Sequence, residues 1–589
     1  MVHMKKPLLR VAFAILLAAA VCAQIPIPET SAGKLFSGWL NAINSGDRAT
    51  MQQFIEKHMA WSKVERDLAM RNQTGGFDVK KVEESRGTRL VVLAQERGPG
   101  RQFVRITTDV AAEEPDKIAG MLLQPAQPPA DLAPPKMTAA EAEAARNGIP
   151  YRQFSAWLDA FNAQDRARMR QFLETNFPGR DLDRDMTFRQ QTGGLEIRAL
   201  EHATDTTLTG LVQERHSDQF GEFTIVVEAG EPHRITQLAI NAIPRPAEFP
   251  VTRLSEAETI AALRAKLEKD AAAGRFSGAV LVAKKGQVLF SGAYGLADRA
   301  KKVENKLDTR FRIGSMNKMF TAVSILQLVQ AGKINLTDPL GKYIKDYPNQ
   351  EVAAKVTIHD LLTHTGGTGD IFGPQFDAHR LELRTLNDYV ALYGKRAPEF
   401  EPGSRFSYSN YGMVLLGVVV ERVSGQSYYD YVAEHVYKPA GMTLTGSEPE
   451  SEAVPGRSIG YMRPDEDGTW TPNTDTLPYR GSSAGGGYST VGDLMKFADA
   501  LMSHKLLNAE HTDLLITGKV QAGRGRMYAY GFEDGRKDGN GAVGHGGGAP
   551  GMNGDLRIYP KSGYVVAVLS NLDPPAAQQV SSFLDLRLP

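Results

Sequence analysis

The feature that most constrains this chain is an internal repeat. "FSGWLNAINSGDRATMQQF" (36–54) matches "FSAWLDAFNAQDRARMRQF" (154–172), "RNQTGG" (71–76) matches "RQQTGG" (189–194), and "QER" at 95–97 matches "QER" at 213–215. All three pairs share an offset of 118 residues. Equal offsets imply one unit of about 100 residues set down twice, too few copies to build a solenoid. Each copy opens on an amphipathic helix: Phe154, Trp157, Leu158 and Phe161 recur at helical spacing. Strand-like segments such as "TRLVVLAQE" and "FTIVVEAG" follow. The duplicated Gln-Thr-Gly-Gly reads as a turn. Neither copy carries a catalytic constellation, so structural support and partner binding are the roles open to them.

A helix followed by a curved sheet resembles the cone fold of the nuclear-transport-factor-like families. The repeats set the domain plan: repeat domain 1 at 30–124, a Pro/Ala-rich linker at 125–147 and repeat domain 2 at 148–246. After "IPRPAEFP" (243–250), one large domain runs from 254 to 589. Ahead of them, Lys5, Lys6 and Arg10 precede the apolar stretch Val11 to Val21. That pattern suits a signal peptide over 1–23 and is too short to span a bilayer, so an exported, periplasmic or secreted protein is expected, with no integral membrane segment afterwards. The single cysteine, Cys22, falls inside this segment, and Val21 before it argues against lipidation. Removing 1–23 leaves 65 basic against 68 acidic residues, a net of −3, so bulk charge gives no support to nucleic-acid binding.

The large domain predicts an α+β fold. "SEAETIAALRAKLEKDAAAG" is a helix with Ser255 as cap and Glu258 completing a capping box. "GAVLVAKKGQVLFSGAYG" is a hairpin turning at Lys285-Gly286, and "DLRIYPKSGYVVAVLSN" is another near the C-terminus, before a last helix from about Ala576. Hairpins from opposite ends of the domain point to one antiparallel sheet flanked by helices. Residues 315–505 would form a helical subdomain.

The chemistry centres on "RIGSMNKMFTAVSILQLVQAGK" (312–333). The run after Ser315 is apolar on nearly every face, so it should be a buried helix ending at Gly332. Lys318 lies on the same face as Ser315. A lysine on the first turn opposes the helix dipole and is costly to bury unpaired, so catalysis is a natural reason for it. A neutral lysine can take the proton of a serine and make it nucleophilic. Ser-x-x-Lys alone carries little weight, since Ser31 to Lys34 also matches.

Two later motifs add weight. "FSYSNYG" places Tyr408, Ser409 and Asn410 on a turn before an apolar helix, and "VGHGGGAPG" places His545, Gly546 and Gly547 on a strand running into glycines. Ser-x-x-Lys, Tyr-x-Asn and Lys/His-x-Gly in that order resemble the serine β-lactamase and penicillin-binding-protein superfamily. The Tyr-x-Asn form, with "LLTHTGG" (361–367) and "AGGGYSTVGDLMKFADAL" (484–501), resembles the class C branch and its esterase and D-peptidase relatives. The resemblance implies that Ser315 is acylated, that Lys318 and Tyr408 share general-base work by lowering each other's proton affinity, and that Asn410 orients Lys318 and substrate. It also implies an oxyanion hole from the backbone of Ser315 and Gly548, substrate contact by His545, close approach at Gly547, and neither cofactor nor metal. A second Tyr-x-Asn, Tyr347 to Asn349, is expected to be incidental and to lead into no helix.

His545 departs from the usual lysine, and Gly546 from the usual hydroxyl residue, where these enzymes hold a substrate carboxylate. A mostly neutral histidine grips a carboxylate poorly. Hydrolysis of short-chain esters is therefore the leading expectation, with D-amino-acid peptidase or β-lactamase activity as alternatives, and a non-catalytic penicillin-binding or sensor protein as the rival of another class. Gly456–Gly460 and Gly481–Gly485 match the Gly-x-Ser-x-Gly elbow of α/β-hydrolases, but their polar, Pro-containing approaches read as loops. His359 and His364, five apart, do not share one helical face and read as packing residues rather than metal ligands.

Overall fold

The computed structural model describes residues 25–589 apart from 60–61, 99–102, 112–113, 127–131, 133–136, 465–467, 524–525 and 537–540. The expected signal peptide, Cys22 and residues 127–131 and 133–136 of the Pro/Ala-rich linker lie outside the described residues.

Helices Ser31–Ser45, Arg48–His58 and Val64–Thr74 are followed by four consecutive antiparallel strands, Phe77–Arg86, Arg89–Glu96, Phe103–Val110 and Ile118–Ala126. The same order recurs in Ile149–Asn162, Arg166–Asn176 and Leu182–Thr192, then Leu195–Ala203, Thr207–Glu214, Phe220–Val227 and Ile235–Ile243. In both units the apolar stripe of the first helix (Phe36, Trp39, Ile43; Phe154, Trp157, Phe161) is buried in the unit's core. The duplicated Gln-Thr-Gly-Gly ends a helix, with Gly75 (φ 70°) and Gly193 (φ 73°) in the left-handed region. Within the expected linker at 125–147 lies a helix, Ala139–Arg146, capped reciprocally by Thr138 and Glu141 and packed through Ala142 and Ala145 on the second unit. The alanine-rich run has high helix propensity, which outweighs the extended bias of the prolines before it.

The large domain begins with helix α1 (Glu256–Ala272), where Ser255 and Glu258 form the expected capping box. An eight-stranded antiparallel sheet follows, with strands β1 (Gly278–Lys284), β2 (Gln287–Tyr294), β3 (Val520–Gln521), β4 (Met527–Tyr528), β5 (Glu533–Asp534), β6 (Val543–Ala549), β7 (Met552–Tyr559) and β8 (Tyr564–Ser570). Their order is β2-β1-β8-β7-β6-β5-β4-β3, so the first and last hairpins lie side by side in one sheet, joined by β1 and β8. Lys285 (φ 49°) and Gly286 (φ 80°) make the tight turn of the first hairpin.

The sheet is buried on both faces. The terminal helices α1 and α6 (Ala576–Arg587) cover one face through Leu263, Leu267, Val580 and Leu584. The other face packs on helices α2 (Asn317–Gln330), α3 (Ile358–Leu362), α4 (Asn410–Ser424) and α5 (Val491–Met502) in the largest core of the protein. Each fully buried Leu, Ile, Phe or Met in that core contributes roughly 1.5–3 kcal/mol, enough to hold a first turn that buries a lysine. Both repeat units touch this domain. Asp218 pairs with Arg587 at 2.7 Å, and Gly120 lies against Ser404, four residues before Tyr408.

Candidate active site

Ser315 sits in a 3-10 turn, Gly314–Met316, that leads straight into α2. The apolar run makes α2 a buried helix, and Gly332 (φ 68°) follows its end. Lys318 is 0% exposed. Its Nζ lies 3.1 Å from Ser315 Oγ, 2.7 Å from Asn410 Oδ1 and 2.6 Å from the Ala484 carbonyl. The last two oxygens only accept. A neutral amine has two N–H bonds and one lone pair, so giving both hydrogens to Asn410 and Ala484 turns the lone pair toward the Ser315 hydroxyl.

Burial lowers the proton affinity of Lys318 to a pKa of about 7, against a smaller opposing pull from Asp370. A base poised there is neutral in about half the molecules at pH 7. Tyr408 behaves differently from the expectation of mutual lowering. Burial of its phenol pushes its proton affinity up, while a hydrogen bond with Ser315 works the other way. The residue is 38% exposed overall, so water moderates the rise that burial causes. Tyr408 thus keeps its proton at neutral pH, and Lys318 is the group whose lowered proton affinity suits it to accept one. The Lys318 ammonium also lies 4.7 Å from the Tyr408 ring centroid.

Ser409 caps α4 by accepting from Gly412 N at 2.9 Å, which presents Tyr408 and Asn410 on either side of the cap. Asn410 is held in turn by Asp370, whose carboxylate accepts from the Asn410 backbone and side-chain amides, each at 3.2 Å.

On β6, only Val543 and Gly544 pair with β5. Among the described residues, the outer edge of β6 beyond Gly544 has no strand neighbour, which leaves its backbone groups open to the cleft. The strand presses on the turn that carries Ser315. A Cβ on Gly547 would fall 1.9 Å from Ile313 O and 3.1 Å from Ser315 N, and one on Gly314 would fall 2.9 Å from Gly548 N. Only glycine fits at Gly547, and the two expected oxyanion donors are brought side by side.

His545 is placed differently from a substrate-contacting group. It is 4% exposed, its Nε2 lies 3.0 Å from the Tyr528 hydroxyl and its Nδ1 lies 2.5 Å from Gly546 O. Both ring nitrogens are used inside the protein. Ser483 is fully buried with an unpartnered hydroxyl, and both Gly-x-Ser-x-Gly stretches lie in loops, as read from sequence. Asn349 does cap a helix, Gln350–Lys355, against expectation, but Tyr347 is buried on Tyr411. Sequence reasoning missed Asp370 and Tyr528. Asp370 follows "LLTHTGG" by three residues, a position signal; Tyr528 carries none.

The sequence pattern of the Beta-lactamase family matches residues 263–586. PbpX of Bacillus subtilis (strain 168) is 30% identical over 297 residues, covering 50% of this chain and 70% of that protein. Penicillin-binding protein 4* of the same strain is 28% identical over 324 residues, covering 50% and 68%. The crystal structure of a penicillin binding protein from Bacillus halodurans matches with a TM-score of 0.50 and 36% identity, covering 54% of this chain and 98% of that one. With a serine–lysine–tyrosine cluster at the foot of a β-lactamase-like sheet and a family match over more than half its length, the chain belongs to the Beta-lactamase family, and its large domain is a serine hydrolase of that fold.

Proposed function

We propose that the protein is an exported carboxylesterase that cleaves short-chain esters through a Ser315 acyl-enzyme. The carrying observation is the state of His545: buried, with both nitrogens committed, and with its proton affinity lowered by burial and by Lys318. A neutral, internally bonded imidazole offers no cation at the position where penicillin-like substrates have their carboxylate held, so a substrate without a carboxylate suits the cleft better. In the acylation step, Ser315 Oγ forms a bond to the ester carbonyl carbon as its proton passes to Lys318 Nζ. The carbonyl oxygen takes the negative charge beside the Ser315 and Gly548 amides. Collapse expels the alkoxide, which is protonated from Lys318 or Tyr408. Water then repeats the sequence to free the acid.

A second reading, penicillin recognition, draws support from the likeness to Penicillin-binding protein 4* and to the penicillin binding protein from Bacillus halodurans, and D-amino-acid peptidase activity is the turnover it would imply. Parallel rates on p-nitrophenyl acetate and butyrate, nitrocefin and a D-Ala-D-Ala peptide, with Ser315→Ala as blank, separate the two. Ester turnover should dominate; nitrocefin or peptide turnover well above it would favour the second reading.

A further inference from the structure

Around the cleft runs a row of three buried side chains that the chemistry above leaves unused. His364 is 1% exposed, Tyr528 2% and His545 4%. They come from the turn after α3, from β4 and from β6. Ser409 N donates to His364 Nδ1 at 3.2 Å, His364 Nε2 lies 3.0 Å from the Tyr528 hydroxyl, and that hydroxyl lies 3.0 Å from His545 Nε2.

Only one arrangement of protons satisfies the row with neutral side chains. A backbone N–H can only donate, so His364 Nδ1 accepts and its proton sits on Nε2, donated to the Tyr528 oxygen. The Gly546 carbonyl can only accept, so His545 Nδ1 donates to it and Nε2 accepts the Tyr528 proton. Burial, and after it the charge of Lys318, keeps both imidazoles from protonating, with Glu533 opposing at His545. A parallel bond from His359 Nδ1 to the Tyr530 hydroxyl, 2.7 Å, ties α3 to the same part of the sheet.

The two ends of the row explain its use. Ser409 stands between Tyr408 and Asn410, and Gly546 immediately precedes Gly547 and Gly548. β7 pairs β6 along its inner edge and Asn553 donates to Gly547 O at 2.8 Å, but among the described residues no strand pairs with its outer edge beyond Gly544. The row of side chains is what ties that part of the strand across to the Ser409 turn.

We propose that Tyr528 is a positioning residue for acyl transfer: by bonding His364 and His545 at once, it fixes the spacing between the Tyr408–Asn410 turn and the Gly546–Gly548 edge. The proposal rests on the reading of Ser315 as nucleophile.

Tyr528→Phe deletes one oxygen and both bonds while keeping the ring. A displacement of about 1 Å at a catalytic group costs on the order of 100-fold, so kcat on p-nitrophenyl butyrate should fall at least about 10-fold, with KM within about 3-fold of the parent. His545→Leu, which cannot accept the Tyr528 proton, should lose as much. His545→Gln, whose amide oxygen can accept it, should recover most of the loss. A merely structural role would lower the melting temperature without separating kcat from KM or Gln from Leu. Turnover of Tyr528→Phe within about 2-fold of the parent overturns the proposal. If that variant does not fold, equal turnover of His545→Gln and His545→Leu overturns it. Labelling each protein with a fluorophosphonate keeps the two claims apart: a parent that is not labelled overturns the Ser315 reading, whereas a labelled parent with unchanged variants overturns only the role of Tyr528.

Discussion

Asp370 grips Asn410 by two amides, and through Asn410 it reaches Lys318. Its negative charge is also the one influence holding the Lys318 proton affinity up against burial. Asp370→Asn keeps the shape and removes that charge. The midpoint of the kcat/KM–pH profile on a neutral ester should therefore move to lower pH than in the parent. A midpoint that stays or rises would disprove the electrostatic role.

In the parent, rate should rise with pH with unit slope through about 7 and then level off, because the base must be neutral and Lys318 titrates there. Tyr408, pushed up by burial, stays protonated across this range and adds no second inflection below the alkaline region. A stopped-flow or initial-rate profile from pH 5 to 9 on p-nitrophenyl acetate checks this.

Lys318 also makes a stability prediction. Between about pH 7 and 10.5 the unfolded chain carries a proton on Lys318 that the folded protein does not, so the parent gains stability as pH rises, by up to about 4 kcal/mol across the window. Lys318→Met has no such proton. Denaturant melts of both proteins at pH 7 and pH 9.5 should show the parent gaining on the variant. Loss of parent stability relative to the variant with rising pH would contradict the burial argument.

Two neighbouring glycines should behave oppositely. A methyl at Gly547 would sit 1.9 Å from Ile313 O, backbone that cannot yield without moving the nucleophile turn. At Gly546 the nearest atom is the end of the Gln578 side chain, 3.0 Å away and free to move. Gly547→Ala should cost about 2–4 kcal/mol and on the order of 100-fold in kcat, while Gly546→Ala should stay within a few-fold. Melting curves and ester rates on both variants test it.

Much of this site was legible in the chain because its signals are local. The buried run after Ser315, the polar turn before α4 and the glycines of β6 each stand out against their neighbours, and their order carried the resemblance. The repeat showed itself through an unbroken offset, and the terminal hairpins through their turn residues. What escaped depends on long-range contact. His545 read as a substrate-contacting group, and only the fold shows Tyr528, which has no motif around it, on its Nε2. The raised proton affinity of Tyr408 follows from burial that no spacing reveals.

The central claim is that Ser315 carries the acyl group. The most direct test is to react the full-length protein with a fluorophosphonate and map the adduct by tryptic mass spectrometry. The account predicts a single adduct on the peptide Ile313–Lys318, none in Ser315→Ala, and loss of ester hydrolysis in that variant. An adduct on Ser483 or another serine, or ester turnover that survives Ser315→Ala, would contradict it.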